Sequence, residues 1–299
     1  MGGFTFPGWP GARKDSALAA LRVVFIALAS LPLHVGGHEE LLKQDMNRLE
    51  RHLLSRYEHI VMRAIDFISS NRFLHGHRAT KILVDRLGEY VMDTINGEVL
   101  TLEEAGEVVR SVAGAGYTLA VGTCPCRRAR NKLSDEAPNN TDMVFGPWAD
   151  EYLAIYPGLY RRIEVPEALE LIRDFDRHGF VHQVYGFRSE AGAITVLCNC
   201  APDVCVPLLA QKRHGYQAFK KGRARARVEE SVCVGVDECG ACIRRCAFDA
   251  RVDIGGKGAV LEEKCFGCGL CVATCRGAAT RLERVPGAVL IYARDLVKS

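Results

Sequence analysis

From His38 to Ile68 the apolar residues Leu42, Met46, Leu49, Leu53, Tyr57, Ile60, Ala64 and Ile68 recur at steps of three and four, which predicts one long amphipathic helix. A second helical pattern over Ile82, Leu83, Leu87, Tyr90, Val91 and Ile95 follows the loop around His75 and His77 and stops at Asn96-Gly97, a turn signal. Residues 1–97 are therefore expected to form a helical layer. Within it, Ala17 to Val35 is apolar almost throughout. That run is shorter than the roughly 20 residues a membrane span needs, Arg22 interrupts it and Pro32 breaks it. The expectation is a buried or interface helix that favours an oligomer or a place in a larger complex, with membrane contact through residues 17–35 as the alternative.

Past residue 97 the pattern repeats itself. Glu104-Ala-Gly-Glu-Val-Val-Arg110 with Gly116-Tyr117 lies ahead of Cys124-Pro-Cys126, and Glu167-Ala-Leu-Glu-Leu-Ile-Arg173 with Gly179-Phe180 lies ahead of Cys198-Asn-Cys200. Each unit predicts a helix opened by Thr101 or Pro166 and closed by Gly116 or Gly179, then a strand, then C-x-C. The second unit inserts a hairpin between Val181 and Val196. A duplication would bring the two C-x-C loops together. The chance similarity of two amphipathic helices is the competing explanation.

Composition adds limits. The chain has 299 residues, 48% hydrophobic and 25% charged, with a net charge of +3, enough for two ordinary domains and too weakly basic for a nucleic-acid partner. All 13 cysteines lie at or after Cys124. An odd number, clustered in C-x-C and C-x-x-C units and without an export signal, points to metal ligation in a reducing compartment rather than to disulfides, and a cytoplasmic location is expected. The segment after Cys205 carries Lys212, Arg213, Lys220, Lys221, Arg223, Arg225 and Arg227, which reads either as a solvated linker or as a docking patch for an acidic redox partner. Nothing supports bound nucleotide or flavin: the chain has no G-x-G-x-x-G after a strand, no P-loop and no nucleophile elbow. His75 and His77 are expected to be solvated, His178 to sit on a helix end and His182 to pack in a strand.

The most specific motif is Cys265-Phe-Gly-Cys268-Gly-Leu-Cys271-Val-Ala-Thr-Cys275, a C-x2-C-x2-C-x3-C run. Three thiolates at this spacing wrap one iron–sulfur cubane, and the fourth points to a second cluster. Upstream, Cys233, Cys239, Cys242 and Cys246 form the same run with three extra residues between the first two. Zinc is the other metal that such pairs bind. Over residues 228–285 the chain resembles bacterial-type dicluster ferredoxins, although Ala247 and Arg276 stand where that family carries proline. The resemblance implies two [4Fe–4S] clusters with crossed ligands: Cys233, Cys239, Cys242 and Cys275 for one, and Cys265, Cys268, Cys271 and Cys246 for the other. Over about residues 100–285 the order C-x-C-Arg-Arg, Val144-Phe-Gly-Pro-Trp-Ala-Asp150, C-x-C, a basic stretch and the ferredoxin-like run resembles a group of multi-domain 4Fe–4S binding proteins, with Ala201 and Pro202 where more cysteines would be expected.

Five cysteines remain: Cys124, Cys126, Cys198, Cys200 and Cys205. A third Fe–S centre is the first expectation for them, a structural zinc the second and a redox-active dithiol or disulfide the third. Arg127, Arg128 and Arg130 could offset anionic thiolates or be surface charge. The fold expected is α+β: a helical N-terminal region (1–97), a pseudo-duplicated α+β domain with two C-x-C loops (98–211), a basic linker (212–228) and a dicluster ferredoxin-like domain (229–299). The function expected is relay of single electrons to or from a redox partner protein or complex. The alternative is a reductase whose N-terminal metal site is catalytic and is fed by the ferredoxin clusters.

Overall fold

The computed structural model describes residues 48–71, 81, 82, 85, 95–187, 196–215 and 218–288. The long helix expected from periodicity is present as α1 (Arg48–Ser70). The apolar stretch at Ala17–Val35 and the loop histidines His75 and His77 lie outside the described residues. Asn96-Gly97 does not end a helix. It lies inside strand β1 (Ile95–Leu100), where both residues pair with β5. Gly97 is accommodated there because the Tyr185 ring leaves no room for a side chain: a Cβ would meet Tyr185 Cε1 at 2.8 Å. The turn reading failed because strand pairing overrides the local preference of Asn-Gly.

The chain then runs α2 (Leu102–Gly114), β2 (Leu119–Gly122), α3 (Pro125–Arg130), β3 (Asp142–Phe145), α4 (Gly146–Ile155), β4 (Tyr160–Arg162), α5 (Val165–His178), β5 (Val181–Phe187), β6 (Val196–Cys200) and α6 (Val206–His214). Thr101 opens α2 with a reciprocal capping box to Glu104. Gly179 closes α5 in the left-handed region (φ 84°), as expected, whereas Ala115 takes the cap of α2 and Gly116 follows it at φ 80°. The strands β5 and β6 are the arms of the predicted hairpin and pair antiparallel.

All six strands form one antiparallel sheet in the order β1-β5-β6-β3-β2-β4. Exchanging β1-α2-β2-β3 for β4-α5-β5-β6 reverses this order and so leaves it unchanged, which is the symmetry a duplication would produce. Alternation buries both faces of the sheet. Leu119, Val121, Met143, Phe145 and Leu197 point to one side, where α2 and α5 close the largest core with Val109, Val112, Ile172 and Phe175. Ala120, Val144 and Val181 point to the other, beneath Trp148, Tyr152, Leu208 and Phe219. Helix α1 packs on this second side against α3, α4 and α6.

The basic segment is not an open linker. It leads into β7 (Ala224–Val228), the first strand of a C-terminal segment that continues with α7 (Ala241–Arg244), β8 (Arg251–Ile254), β9 (Lys257–Val260), α8 (Leu270–Ala273) and β10 (Thr280–Arg284). β7 pairs with β10 and β8 with β9, both antiparallel. The order β-α-β-β-α-β has an internal twofold in its backbone. A 3-10 turn precedes Cys233 (Glu230–Val232) and another precedes Cys265 (Glu262–Lys264); Gly240 and Gly269 open α7 and α8 at positive φ; Asp249 and Ala278, each three residues past a cysteine, both have φ 52°.

Residues 42–299 form one unit, so this segment is docked on the sheet. Arg223 is buried (8% exposed) between the carboxylates of Glu98 on β1 (3.1 Å) and Glu104 on α2 (3.2 Å). Beside it, a Cβ on Gly222 would lie 2.4 Å from Val99 O. Arg245 donates to Asp176 O and Arg177 O at the end of α5. Of the other basic residues, Arg213 binds Ser70, Arg227 pairs with Glu262 and Glu283, and Arg225 binds Gly222 O and Ala224 O. Most of the run therefore makes contacts within the molecule, although only Arg223 is buried. The fold class is α+β, and no helix among the described residues is long and apolar enough to cross a membrane.

Candidate metal centres

The 13 cysteines fall around three cavities. Cys233, Cys239, Cys242 and Cys275 line one, and Cys246, Cys265, Cys268 and Cys271 line a second. Each set takes three thiols from one run and one from the other. The exchange follows from the local structure. Helix α7 carries Cys242 near its start, and Cys246 lies just past its end; α8 holds Cys271 in its first turn, with Cys275 just beyond. Four residues of helical rise, about 6 Å, separate the members of each pair along the axis, and the last cysteine of each run lines the other cavity.

Backbone amides reach the sulfurs at matching positions: Ala250 N–H donates to Cys246 Sγ (3.2 Å) and Ala279 N–H to Cys275 Sγ (3.2 Å), with Ala226 N–H to Cys265 Sγ at 3.5 Å. Gly267 allows this close approach, because at φ 77° its Cβ would fall 2.1 Å from Ala224 O. The amides of Gly258 and Gly235 hold the Cys233 thiol below the ordinary range, whereas burial pushes Cys268 well above it and Cys271 up to about 12.

Cys124, Cys126, Cys198, Cys200 and Cys205 line the third cavity, of about 140 Å³. They arrive by different routes. Cys124 caps the start of α3, Cys198 and Cys200 end β6, and Cys205 caps α6. The two C-x-C loops are thus not equivalent under the exchange that relates the sheet halves, since one follows β2 and the other ends β6. What joins them is the lead-in to β3: Cys124 N–H donates to Asn139 O (2.9 Å), Asn199 N–H donates to Thr141 O (3.0 Å), and Asp142 pairs with Cys198 across the sheet. His182, buried on β5 as expected, bonds through Nδ1 to Asn199 Oδ1 (2.7 Å) and holds the loop from the other side. His178 bonds to Asp174 O at the end of α5.

All five of these thiols are held well above the ordinary thiol range. For Cys124 the neighbouring Cys126 thiol is the largest cause and burial the second. Side-chain contacts link them in a chain, Cys124 to Cys126 to Cys205 to Cys200 to Cys198. Thiols crowded this way ionise only when a cation compensates them, which is the condition a soft metal centre meets. The three nearby arginines are not surface charge. Arg127 is buried over the Phe180 ring, Arg128 lies over Tyr156, and Arg130 ties α3 to Asp66 of α1 and to Asp203 O. Among the described residues, no three His, Cys, Asp or Glu side chains are already gathered as a ready site for one ion.

No protein-family model matches the chain, and no curated protein matches it.

The third cavity is also lined by residues that sequence reasoning missed: Glu58, Val61 and Met62 of α1, with Asp142, Trp148 and Tyr152. The predicted apolar stripe of α1 (Tyr57, Ile60, Ala64) is one step round the helix from the face that lines the cavity. Tyr152 donates to the Glu58 carboxylate, Tyr160 donates to Asp142 Oδ2 (2.6 Å), and the Cys198 thiol donates to Asp142 Oδ1 (3.3 Å). Burial, reinforced by the negative charge of Asp142, pushes Glu58 up to about 8. An unfolded chain releases that proton near 4.5. Between these values the folded state holds one proton more than the unfolded state, so Glu58 makes stability fall as pH rises through the window. Glu58→Gln is expected to flatten that decline in urea unfolding measured at pH 5 and pH 8. Equal pH dependence in both proteins would show that Glu58 is not held neutral.

Proposed function

We propose that the chain is an iron–sulfur electron-transfer protein. In this reading Cys233, Cys239, Cys242 and Cys275 hold one [4Fe–4S] cluster and Cys246, Cys265, Cys268 and Cys271 hold a second. The observation that carries it is the partition of eight cysteines around two cavities, three from one run and one from the other each time, inside a β-α-β-β-α-β segment with a twofold backbone. Four thiols with amide donors to sulfur are the donor chemistry such clusters take. When bound, the clusters supply one-electron storage. The chain's own part is to set the potential through the Ala250 and Ala279 amides, to exclude water with Phe248 and Leu270, and to fix the cluster-bearing segment on the sheet through Arg223 and Arg245.

The five remaining thiols form a third centre. Four cysteines suffice for a cubane or for zinc, and the fifth is then free of ligand duty. Metal and sulfide analysis of anaerobically purified protein decides between the two: about twelve irons per chain supports a third cluster, and about eight irons with one zinc supports a structural zinc. An iron-free protein would sink the whole reading.

A second reading, a reductase with catalysis at the third cavity, is favoured by one observation: Glu58 and Asp142 line the same cavity as the thiols, together with Trp148, Tyr152 and Met62, and Asp142 accepts from Cys198. Proton donors beside a metal centre are what reduction of a small molecule requires. An EPR signal of the reduced protein that shifts with an added substrate would support it; a spectrum indifferent to a panel of small oxidants would count against it.

A further inference from the structure

Resting on the electron-transfer reading, the three cysteine sites differ in depth. Every thiol of the Cys233 set is partly exposed, the second set includes buried Cys265 and Cys271, and the third includes buried Cys126, Cys200 and Cys205. They also stand in order. Arg251 lines both the first and second cavities, and Cys242 packs in one apolar cluster with Cys246, Cys265 and Cys271. Another cluster joins Cys246 and Cys268 to Cys198, Cys200 and Cys205 through Phe248, Phe266 and Phe219. The second set is thus the middle of a line whose inner end is the third cavity and whose outer end is the Cys233 set.

At that outer end the surface is apolar. Val232 and Val234 flank Cys233 and are 50% and 44% exposed, and Ile254 is 63% exposed. The turn after Ile254 lies against them, with Val236 N–H donating to Gly256 O (2.9 Å). Around this patch the exposed carboxylates are Glu229, Glu230, Asp237, Glu238 and Asp253. The nearby cations are Lys257, which donates to Cys233 O, Arg244, which donates to Cys239 O, and Arg276, so that five carboxylates against three cations leave the rim acidic by about two charges. A second opening exists where Phe248 and Phe266, stacked at 4.1 Å, separate the middle cavity from a groove bearing Lys212, Lys220, Lys221 and Lys264. In that groove Lys212 is paired with Asp249, and Lys221 donates to Glu263 O. The groove leads to the middle of the line, whereas the patch touches its end.

We infer that the Cys233 set is the external electron port, and that its apolar face with an acidic rim docks a one-electron protein whose own face is apolar with a basic rim. A small apolar centre inside a charged rim suits a brief encounter, in which opposite charge accelerates association without a large buried area.

The test uses full-length, cluster-loaded protein, reduced and freed of reductant, mixed anaerobically with one of two haem proteins: a cytochrome c, ringed with lysines, or a cytochrome b5, ringed with carboxylates. One electron leaves the reduced protein and converts ferric to ferrous haem, with no proton or bond change, and haem absorbance gives the rate. At low ionic strength cytochrome c is expected to react faster. Glu230→Lys/Glu238→Lys should slow it about tenfold or more and reduce its salt dependence, with iron content and the reduced EPR signal unchanged. Lys220→Glu/Lys264→Glu should not slow it. Cys239→Ser, which removes the port, should abolish the fast phase while about half the iron of the two C-terminal centres remains. The inference is overturned if cytochrome b5 reacts faster and loses its rate in the Lys220/Lys264 variant, if rim reversal leaves the cytochrome c rate unaltered, or if the fast phase survives Cys239→Ser. A failure of the electron-transfer reading itself would look different, since no variant or wild-type protein would then carry iron.

Discussion

Cys246→Ser is expected to cost about half of the iron of the two C-terminal centres and to do so at the centre of the other run. Its thiol stands in the first cysteine run but lines the cavity of Cys265, Cys268 and Cys271. The loss should therefore be non-additive with Cys268→Ser and additive with Cys239→Ser, as residues acting in one unit and in separate units behave. Iron and sulfide per chain, with the EPR spectrum of the reduced protein, read this directly: Cys246→Ser/Cys268→Ser keeps about four irons at these centres, and Cys246→Ser/Cys239→Ser keeps none. If each run held its own cluster, the two double variants would exchange results, and the crossed assignment would be wrong. Serine is the informative replacement because it preserves volume while offering a far poorer ligand for iron.

Arg223→Met is expected to destabilise the chain by about 3–5 kcal/mol, because it leaves two buried carboxylates without their cation. Arg223 is the cation that pairs with both Glu98 and Glu104 at the contact between the sheet and the C-terminal segment, and Glu104 also accepts from the Thr101 amide. Burial already raises the Glu98 carboxyl above its ordinary value, against the pull of Arg223. Removing Arg223 raises it further. A group whose folded value is raised makes stability fall as pH rises past its unfolded value of 4.5, so the deficit of the variant should be larger at pH 7.5 than at pH 5. Urea unfolding at both pH values measures it, and adding Glu98→Gln and Glu104→Gln should recover part of the loss. A pH-independent deficit would mean that Met at 223 acts through packing alone. The contact has a functional side as well, since it fixes the segment bearing eight cysteines against the sheet that bears the other five.

Much of the candidate chemistry was legible in the order of residues. Cysteine spacing is a local property: three thiols two residues apart can meet one cavity however the rest of the chain folds, and four residues of helical rise set Cys246 apart from Cys242 along the axis. The helix start at Thr101 and the cap at Gly179 are likewise local and were foreseen; the hairpin was expected to end at Val196, ahead of the C-x-C, whereas its second arm carries Cys198 and Cys200. Asn96-Gly97 was misread because its neighbours in β5 lie about 90 residues along the chain, and pairing with Tyr185 and Gly186 outweighs its turn preference. The basic run from Lys212 to Arg227 was read as one surface feature; long-range partners divide it, with Arg223 buried, Arg213 on α1 and Arg227 among carboxylates.

By itself the sequence determined a long amphipathic helix, expected over 38–68 and described over 48–70, the two helix–strand units and the grouping of eight cysteines into two runs, because each depends on periodicity or spacing within a dozen or so residues. Only the tertiary structure decided that five cysteines from three separate places in the chain line one cavity, that Glu58 and Asp142 line it with them, and that the thiols of the Cys233 set are all partly exposed. Those relations are set by which strand lies beside which and by how α1 covers the sheet, and contacts made across a hundred residues leave no periodic trace in the chain that makes them.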